Sequence, residues 1–308
     1  MYYYDFRRYS NSAFVLRKNQ TEENLKARIT MNYHSLEKGL SNSNIRFNFG
    51  QRALRELFKY LEQYIEAGYS FDDIRFKTGL SVIEQYIELH NKHNIDVSSV
   101  KERYNKLISV SSKEDYGGVK EFTKDFILSK RKSNFAELSF YRSSVRDFSN
   151  EPVDIQLINE AIQIATKTPS VCNRQPWSVY VIKKRDLKER ILRIQSGLTE
   201  ERQKQVDTLI AITSKNSFLA TPEERNQGFV DGGMFSMSLL YALQYVGLAT
   251  CALNADLSKK DDKKIRDELG IPDSENLILF IAVGHYPDKF KVPKSQRDSY
   301  KEITKYYL

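Results

Sequence analysis

PSVCNRQPW, residues 169–177, decides how the rest of the chain is read. Pro169 and Pro176 fix the backbone and each removes an N–H donor. Between them stand two amides, Asn173 and Gln175, and the stretch runs into the chain's single tryptophan, Trp177. The residues that follow, WSVYVIKK, alternate as a half-buried strand does. Amide side chains carry both donors and acceptors, which suits the edge of a flat polar ring. The stretch therefore reads as a loop that offers a heterocyclic ligand a site at the mouth of a strand.

Working outward, 308 residues are enough for two domains of unequal size. The apolar share of 40% against 29% charged is that of an ordinary globular chain. The longest apolar run, LILFIAV (277–283), has strand length and falls far short of a membrane span. MYYYDFRRYS at the start lacks the apolar core of a signal peptide, so the expected location is cytoplasmic. Two cysteines, Cys172 and Cys251, form no framework and read as small buried residues that fill space. The net charge of +8 is interspersed with acids (KERYNK, RALRELFK), the pattern of solvated helix faces and not of a nucleic-acid stripe. A modest positive excess also suits an anionic cofactor.

The first 130 residues read as an all-α domain. TEENLKARITMNYHSLEKGL starts on Thr21 as N-cap and stops at Gly39; QRALRELFKYLEQYIEAG carries one stripe of Leu54, Leu57, Phe58, Leu61, Tyr64 and Ile65. SVIEQYIELHNK and VSSVKERYNKLISV give two more helices, and SSKEDYGG (111–118) reads as a linker. His34 with Glu37, and His90 with His93, have i, i+3 spacing, but both pairs lie near helix ends, where such residues cap; no metal is expected. From 131 to 308 helices and strands mix. NFAELSFY and PVDIQLINEAIQIATKT read as helices, the latter with Ile155, Ile158, Ile162 and Ala165 on one face. The weakly patterned stretch 185–227 reads as helical. MFSMSLLYALQYVGL is apolar nearly all round and stops at Gly247, SKKDDKKIRDELG runs from an N-cap Ser258 to Gly270, and NLILFIAVG is a buried strand.

Two further stretches carry anion chemistry. In RSSVRDF, Arg142 and Arg146 flank Ser143 and Ser144, and guanidinium plus hydroxyl suits a phosphate. In VPKSQR, Lys294 and Arg297 add two cations.

In this order and spacing the stretches resemble the nitroreductase family of FMN-dependent oxidoreductases over about residues 134–308. The family's RSVRxF opening corresponds to Arg142–Phe148, its PSxxNxQPW signature to Pro169, Ser170, Asn173, Gln175, Pro176 and Trp177, and its Gly-Leu motif to GLATCALNA (247–255). The resemblance implies an α+β fold, a mixed sheet flanked by helices, preceded here by the all-α domain. It also implies an intertwined homodimer with FMN at the subunit interface, where the apolar helix 234–246 would be buried. Arg142, Ser144 and Arg297, with Lys294, would hold the phosphate and ribityl chain; Ser143 stands where the family often has a basic residue. Pro169 and Ser170 would lie against the ring, with Gln175 in the same loop. Asn173 would bond the pyrimidine edge, Arg146 would stabilise the reduced ring, and backbone near Leu253 and Asn254 would approach N5. Some subgroups carry glutamate or glycine where this chain has Asn254 and Ala255.

The implied activity is hydride uptake from NADH or NADPH and ping-pong reduction of a nitroaromatic or quinone-type acceptor. No catalytic side chain is required, since the chemistry belongs to the cofactor. Two alternatives stay open: a flavin dehydrogenase or dehalogenase dedicated to one metabolite, and a non-catalytic flavin-binding assembly module. No nucleic-acid or membrane partner is expected. The helical domain has no assigned role, although YHSLEKGL packing as a lid over the site would restrict acceptors.

Overall fold

The computed structural model describes residues 2–12, 21–108 and 116–308; residues 111–115 of the expected linker lie outside them. Two compact units emerge, Met1–Glu121 with Lys291–Leu308, and Phe122–Phe290. The expected division at 130/131 thus differs in position, and the C-terminal tail groups with the helical unit.

The first unit contains α1 (Tyr2–Ser12), α2 (Glu22–Leu40), α3 (Gln51–Glu66), α4 (Ile74–Lys92) and α5 (Ser98–Ile108). Thr21 caps α2 reciprocally with Asn24: each backbone N–H donates to the other's side-chain oxygen, at 3.3 and 3.4 Å. The expected stripe of α3 is buried from Leu54 to Tyr64 against Ile29, Leu36, Phe76 and Ile83. Glu37 is fully buried and accepts from the Gly118 N–H at 3.1 Å, while His34 Nδ1 lies 3.2 Å from its other oxygen. His90 is held between Tyr86 O and the Asn48 N–H, and His93 Nδ1 meets Leu89 O. These histidines serve loop closure and helix ends.

The second unit runs through β1 (Val119–Thr123), whose first residues belong to the first unit, then α6 (Lys124–Lys130), α7 (Phe135–Tyr141), α8 (Ile155–Ala165), β2 (Trp177–Ile182), α9 (Arg185–Gln195) and α10 (Glu200–Gln205). There follow β3 (Thr208–Lys215), α11 (Gln227–Tyr245), β4 (Ala249–Asn254), α12 (Lys259–Leu269) and β5 (Glu275–Gly284). The chain ends with β6 (Lys289–Pro293), which pairs with β1, and α13 (Tyr300–Ile303).

The main sheet has the order β2-β3-β5-β4, antiparallel at every pairing. The polarity therefore departs from the mixed sheet that the resemblance implies. Each connection between paired strands brings the chain back to the end it left, so neighbours run in opposite senses.

β3 is the main correction to the sequence reading. TLIAITSK, expected to be helical, is a central strand buried along all but its last residue. With neighbours on both edges and cover on its faces it shows a continuous apolar run and no alternation. Ile155, placed on the inner face of its helix, is 40% exposed, since α8 begins there and turns Ile158, Ala161 and Ala165 inward.

α11 starts seven residues before the apolar run that announced it and lies with α8 against the sheet. Phe235, Leu239 and Leu243 fill the core, and the Trp177 ring stacks on Phe235 at 4.8 Å. Gly232 permits this approach: a Cβ there would stand 2.7 Å from Ile278 Cγ1. The outward face of α11 stays apolar, with Phe229, Val230, Met234 and Tyr245 exposed. Among the described residues no helix is long and apolar enough to cross a membrane.

Candidate flavin site

The loop 169–177 has an unusual backbone. Cys172, Asn173 and Gln175 all have left-handed φ, of 48°, 54° and 50°. For non-glycine residues such conformations cost about 1–3 kcal/mol each and persist only when the surroundings impose them. Here the surroundings are specific. The Gln175 N–H donates to Ser170 Oγ at 2.8 Å and the Asn173 N–H to Ser170 O at 2.9 Å. Gln175 Nε2 bonds the backbone and side-chain oxygens of Asn173, each at 3.2 Å. From below, buried Asp231 of α11 accepts from the Val171 N–H at 3.4 Å and from Gln227 at 2.8 Å. Asn173 and Gln175 are both exposed as a result. Cys172 is exposed too, which corrects the buried, space-filling role expected of it; Cys251 is buried as expected. Left-handed backbone turns the Cys172 side chain away from the core.

Arg174 ties the loop sideways. Its guanidinium donates to Val171 O (3.3 Å), Phe218 O (2.6 Å) and Glu224 (2.7 Å). Hydrogen bonding from Arg174, then from the Ala220 N–H, holds Glu224 below the usual carboxylate range, and the same contact raises Arg174. Sequence reading passed over Arg174 as a variable position of the motif and Glu224 as part of a polar stretch. A lone arginine inside a proline-bounded loop was the available signal.

The anion segment lies at the other side of the sheet. Arg142 ends α7, its N–H donating to Leu138 O at 3.1 Å, and its positive charge opposes the burial that raises the Tyr286 hydroxyl. Ser143 Oγ contacts Tyr141 O at 3.5 Å, and Arg146 Nη1 donates to Ser144 O at 3.2 Å. The Val145 N–H donates to Thr250 O at 2.8 Å, so RSSVR runs beside β4. Next to it the buried ion pair Asp147–Arg202 (2.7 Å) pins the chain. At the end of β4, Leu253 is buried and Asn254 exposed, with Gln195 Nε2 donating to Asn254 O (3.1 Å) and Oδ1 (3.2 Å).

The structure therefore ties the segment of Arg142, Ser143, Ser144 and Arg146 to β4 at Thr250, and it joins Pro169, Ser170, Asn173 and Gln175 in one loop. Trp177 and Asn254 stand at the same end of the sheet, since they register with Ser214 and Leu279. They occupy opposite edges, three strand spacings or about 14 Å across the sheet, and are offset along it by the three residues between Asn276 and Leu279. Pro169 also borders a groove of about 540 Å³ lined by Leu138, Ile164, Tyr241 and Tyr245. Lys294 and Arg297 belong to the first unit, where the Lys294 N–H donates to Gly118 O at 2.9 Å and the Arg297 guanidinium contacts Ser295 O.

An α+β unit of an antiparallel sheet and a central helix, preceded by a helical region, is the fold class. Residues 140–211 match the model of the nitroreductase family. The chain is similar to iodotyrosine deiodinase 1 of Pongo abelii, with 28% identity over 56% of this chain and 68% of that protein. A likeness to the iodotyrosine deiodinase of Hydra vulgaris has the same identity and covers 56% and 73%. Among solved structures, a nitroreductase-like protein of Streptococcus mutans shares the fold, with a TM-score of 0.50 at 19% identity, covering 57% of this chain and 98% of that one.

Proposed function

We propose that the protein is an FMN-dependent oxidoreductase that takes hydride from NADH or NADPH and reduces a small organic acceptor. The flavin-binding segment is taken as 131–308. The observation that carries this reading is the loop 169–177, whose left-handed backbone holds Asn173 and Gln175 outward. Strain of that kind is expected where a ligand is read, and exposed amides match the polar edge of an isoalloxazine ring.

The donor set fits the group. Arg142, Ser144 and Arg146, set beside β4, suit a phosphate and the anionic side of a reduced ring. Asn173 would orient the pyrimidine edge, Pro169 and Ser170 would wall the ring, and the Leu253–Asn254 backbone would border N5. When bound, the flavin supplies the hydride chemistry, and the protein's part is to bind, orient and exclude water.

The separation of the two clusters across the sheet favours a site completed by a second copy of the chain. A homodimer would also cover Phe229, Val230, Met234 and Tyr245 on α11, an apolar stripe that would otherwise face water. Nitroaromatics and quinones are the generic acceptors. A second reading, reductive dehalogenation of one metabolite, is favoured by the names of the deiodinase relatives.

The test is the visible spectrum of the purified protein, followed by anaerobic NADH and then NADPH. A flavin band that bleaches supports the enzyme, and turnover of a halogenated phenol in preference to quinones selects the second reading. A colourless protein that takes up no added FMN refutes both.

A further inference from the structure

We propose that Arg174 is the positioning residue of the flavin loop, a latch that fixes Asn173 and Gln175 in the orientation that reads the ring edge. The proposal rests on the flavin reading above and extends it to a residue outside the motif's fixed positions.

The guanidinium works in three directions at once. Toward the loop, Nε donates to Val171 O, the carbonyl that also accepts from the Arg174 N–H at 3.1 Å. Away from it, Nη1 reaches Phe218 O and Nη2 reaches Glu224 Oε1. Glu224 is itself fixed, because its second oxygen accepts from the Ala220 N–H at 2.7 Å. The latch thus joins the loop to the 216–226 segment, while Asp231 holds Val171 from below. The residues on either side of Arg174, Asn173 and Gln175, are left-handed. Releasing the arginine frees that strained pair to relax to ordinary backbone, which swings both amides away. Lysine cannot replace it: a point charge on a flexible stem satisfies one of the three acceptors, whereas the planar fork satisfies all three. The two side chains of the salt bridge are each about one-fifth exposed.

The same arginine could instead act at long range, as a positive charge attracting a phosphate. The two roles separate on the ligand. A latch acts on the ring and weakens FMN and riboflavin alike; a charge acts on FMN only.

The experiment strips the purified full chain of flavin and titrates it with FMN and with riboflavin, read by quenching of flavin fluorescence. Wild type, R174K, R174A, E224A and R174A/E224A are compared, with far-ultraviolet circular dichroism to confirm folding. The latch is supported if R174A and R174K weaken both ligands by the same factor, about tenfold, for the loss of charge-assisted hydrogen bonds. E224A should lose severalfold, and the double variant should lose no more than R174A alone. Retention of wild-type affinity by R174K, a loss confined to FMN, or multiplying effects of the two single substitutions would each overturn it. If R174A does not fold, R174K and E224A carry the same comparison. A wild-type chain that binds neither ligand refutes the flavin reading itself, an outcome distinct from wild-type binding with unaffected variants.

Discussion

The Asp147–Arg202 pair allows a sharp test of how the anion segment is held. Asp147 directly follows Arg146, and its carboxylate accepts from Arg202 Nε at 2.7 Å and Nη2 at 3.3 Å. The two residues are 7% and 4% exposed, so the pair lies inside the protein. An exposed pair would contribute about 0–1 kcal/mol, whereas removing one partner of a buried pair costs about 3–5 kcal/mol by stranding the other charge. Asp147→Asn keeps the shape and removes the charge, so it should destabilise the second unit by that amount. At about 2–4 °C per kcal/mol for a unit of this size, the midpoint should fall by about 6–20 °C. Trp177 is a suitable reporter, being the only tryptophan and stacked on Phe235 in the same core. The double replacement Asp147→Leu with Arg202→Met strands no charge and should lie within about 2 kcal/mol of wild type. A loss below about 1 kcal/mol in Asp147→Asn, or a double variant as unstable as the single one, would refute the argument.

Met234→Glu places a charge on the exposed stripe of α11 and should shift the protein from dimer to monomer in sedimentation without unfolding it; an unchanged sedimentation coefficient counts against the dimer. Phe235→Ala removes the ring beneath Trp177 and should cost about 3–5 kcal/mol, with a red-shifted tryptophan emission, in thermal or urea unfolding. The depressed pKa of Glu224 sets the sign of an acid effect on the loop. Its contribution is complete above the unfolded value of about 4.3 and is lost as pH falls through the lower folded value. Riboflavin affinity should therefore be insensitive to this group near neutral pH and fall only in acid below the usual carboxylate range; an affinity that in Glu224→Gln keeps the wild-type acid dependence excludes Glu224 as its source.

Fold legibility followed periodicity. α3 announced itself because one face meets the core and the other meets water, so Leu54, Leu57 and Leu61 recur at helical spacing. α12 did so through its ends, with Ser258 accepting from the Asp261 N–H and Gly270 left-handed. β3 gave no such signal. Paired with β2 on one edge and β5 on the other, it is apolar on both faces, and TLIAIT is too short to separate a buried strand from a buried helix. The start of α11 was missed for a related reason: QGFVDGG contains three glycines, poor helix formers in isolation, of which Gly232 is required by its close packing on Ile278.

The site was legible where its chemistry is contiguous and illegible where it is assembled. PSVCNRQPW encodes the turn, since Ser170 supplies both acceptors that fold Asn173 and Gln175 back, but not what holds the amides outward. What fixes that turn in space comes from residues 218, 224 and 231, about fifty positions away, where a carbonyl, a carboxylate and a helix side chain have no spacing to reveal them. The same distinction separates ligand chemistry from ligand choice. Arginines, hydroxyls and amides suit a phosphate and a polar ring by type, which any single chain can encode. On the proposed reading the acceptor would be chosen by the walls around the ring, and the groove beside Pro169 and the apolar face of α11 would form such walls once a second copy covers them. Acceptor range should therefore respond to substitutions at Tyr241 and Tyr245 more than to any at the flavin contacts, which act on cofactor affinity.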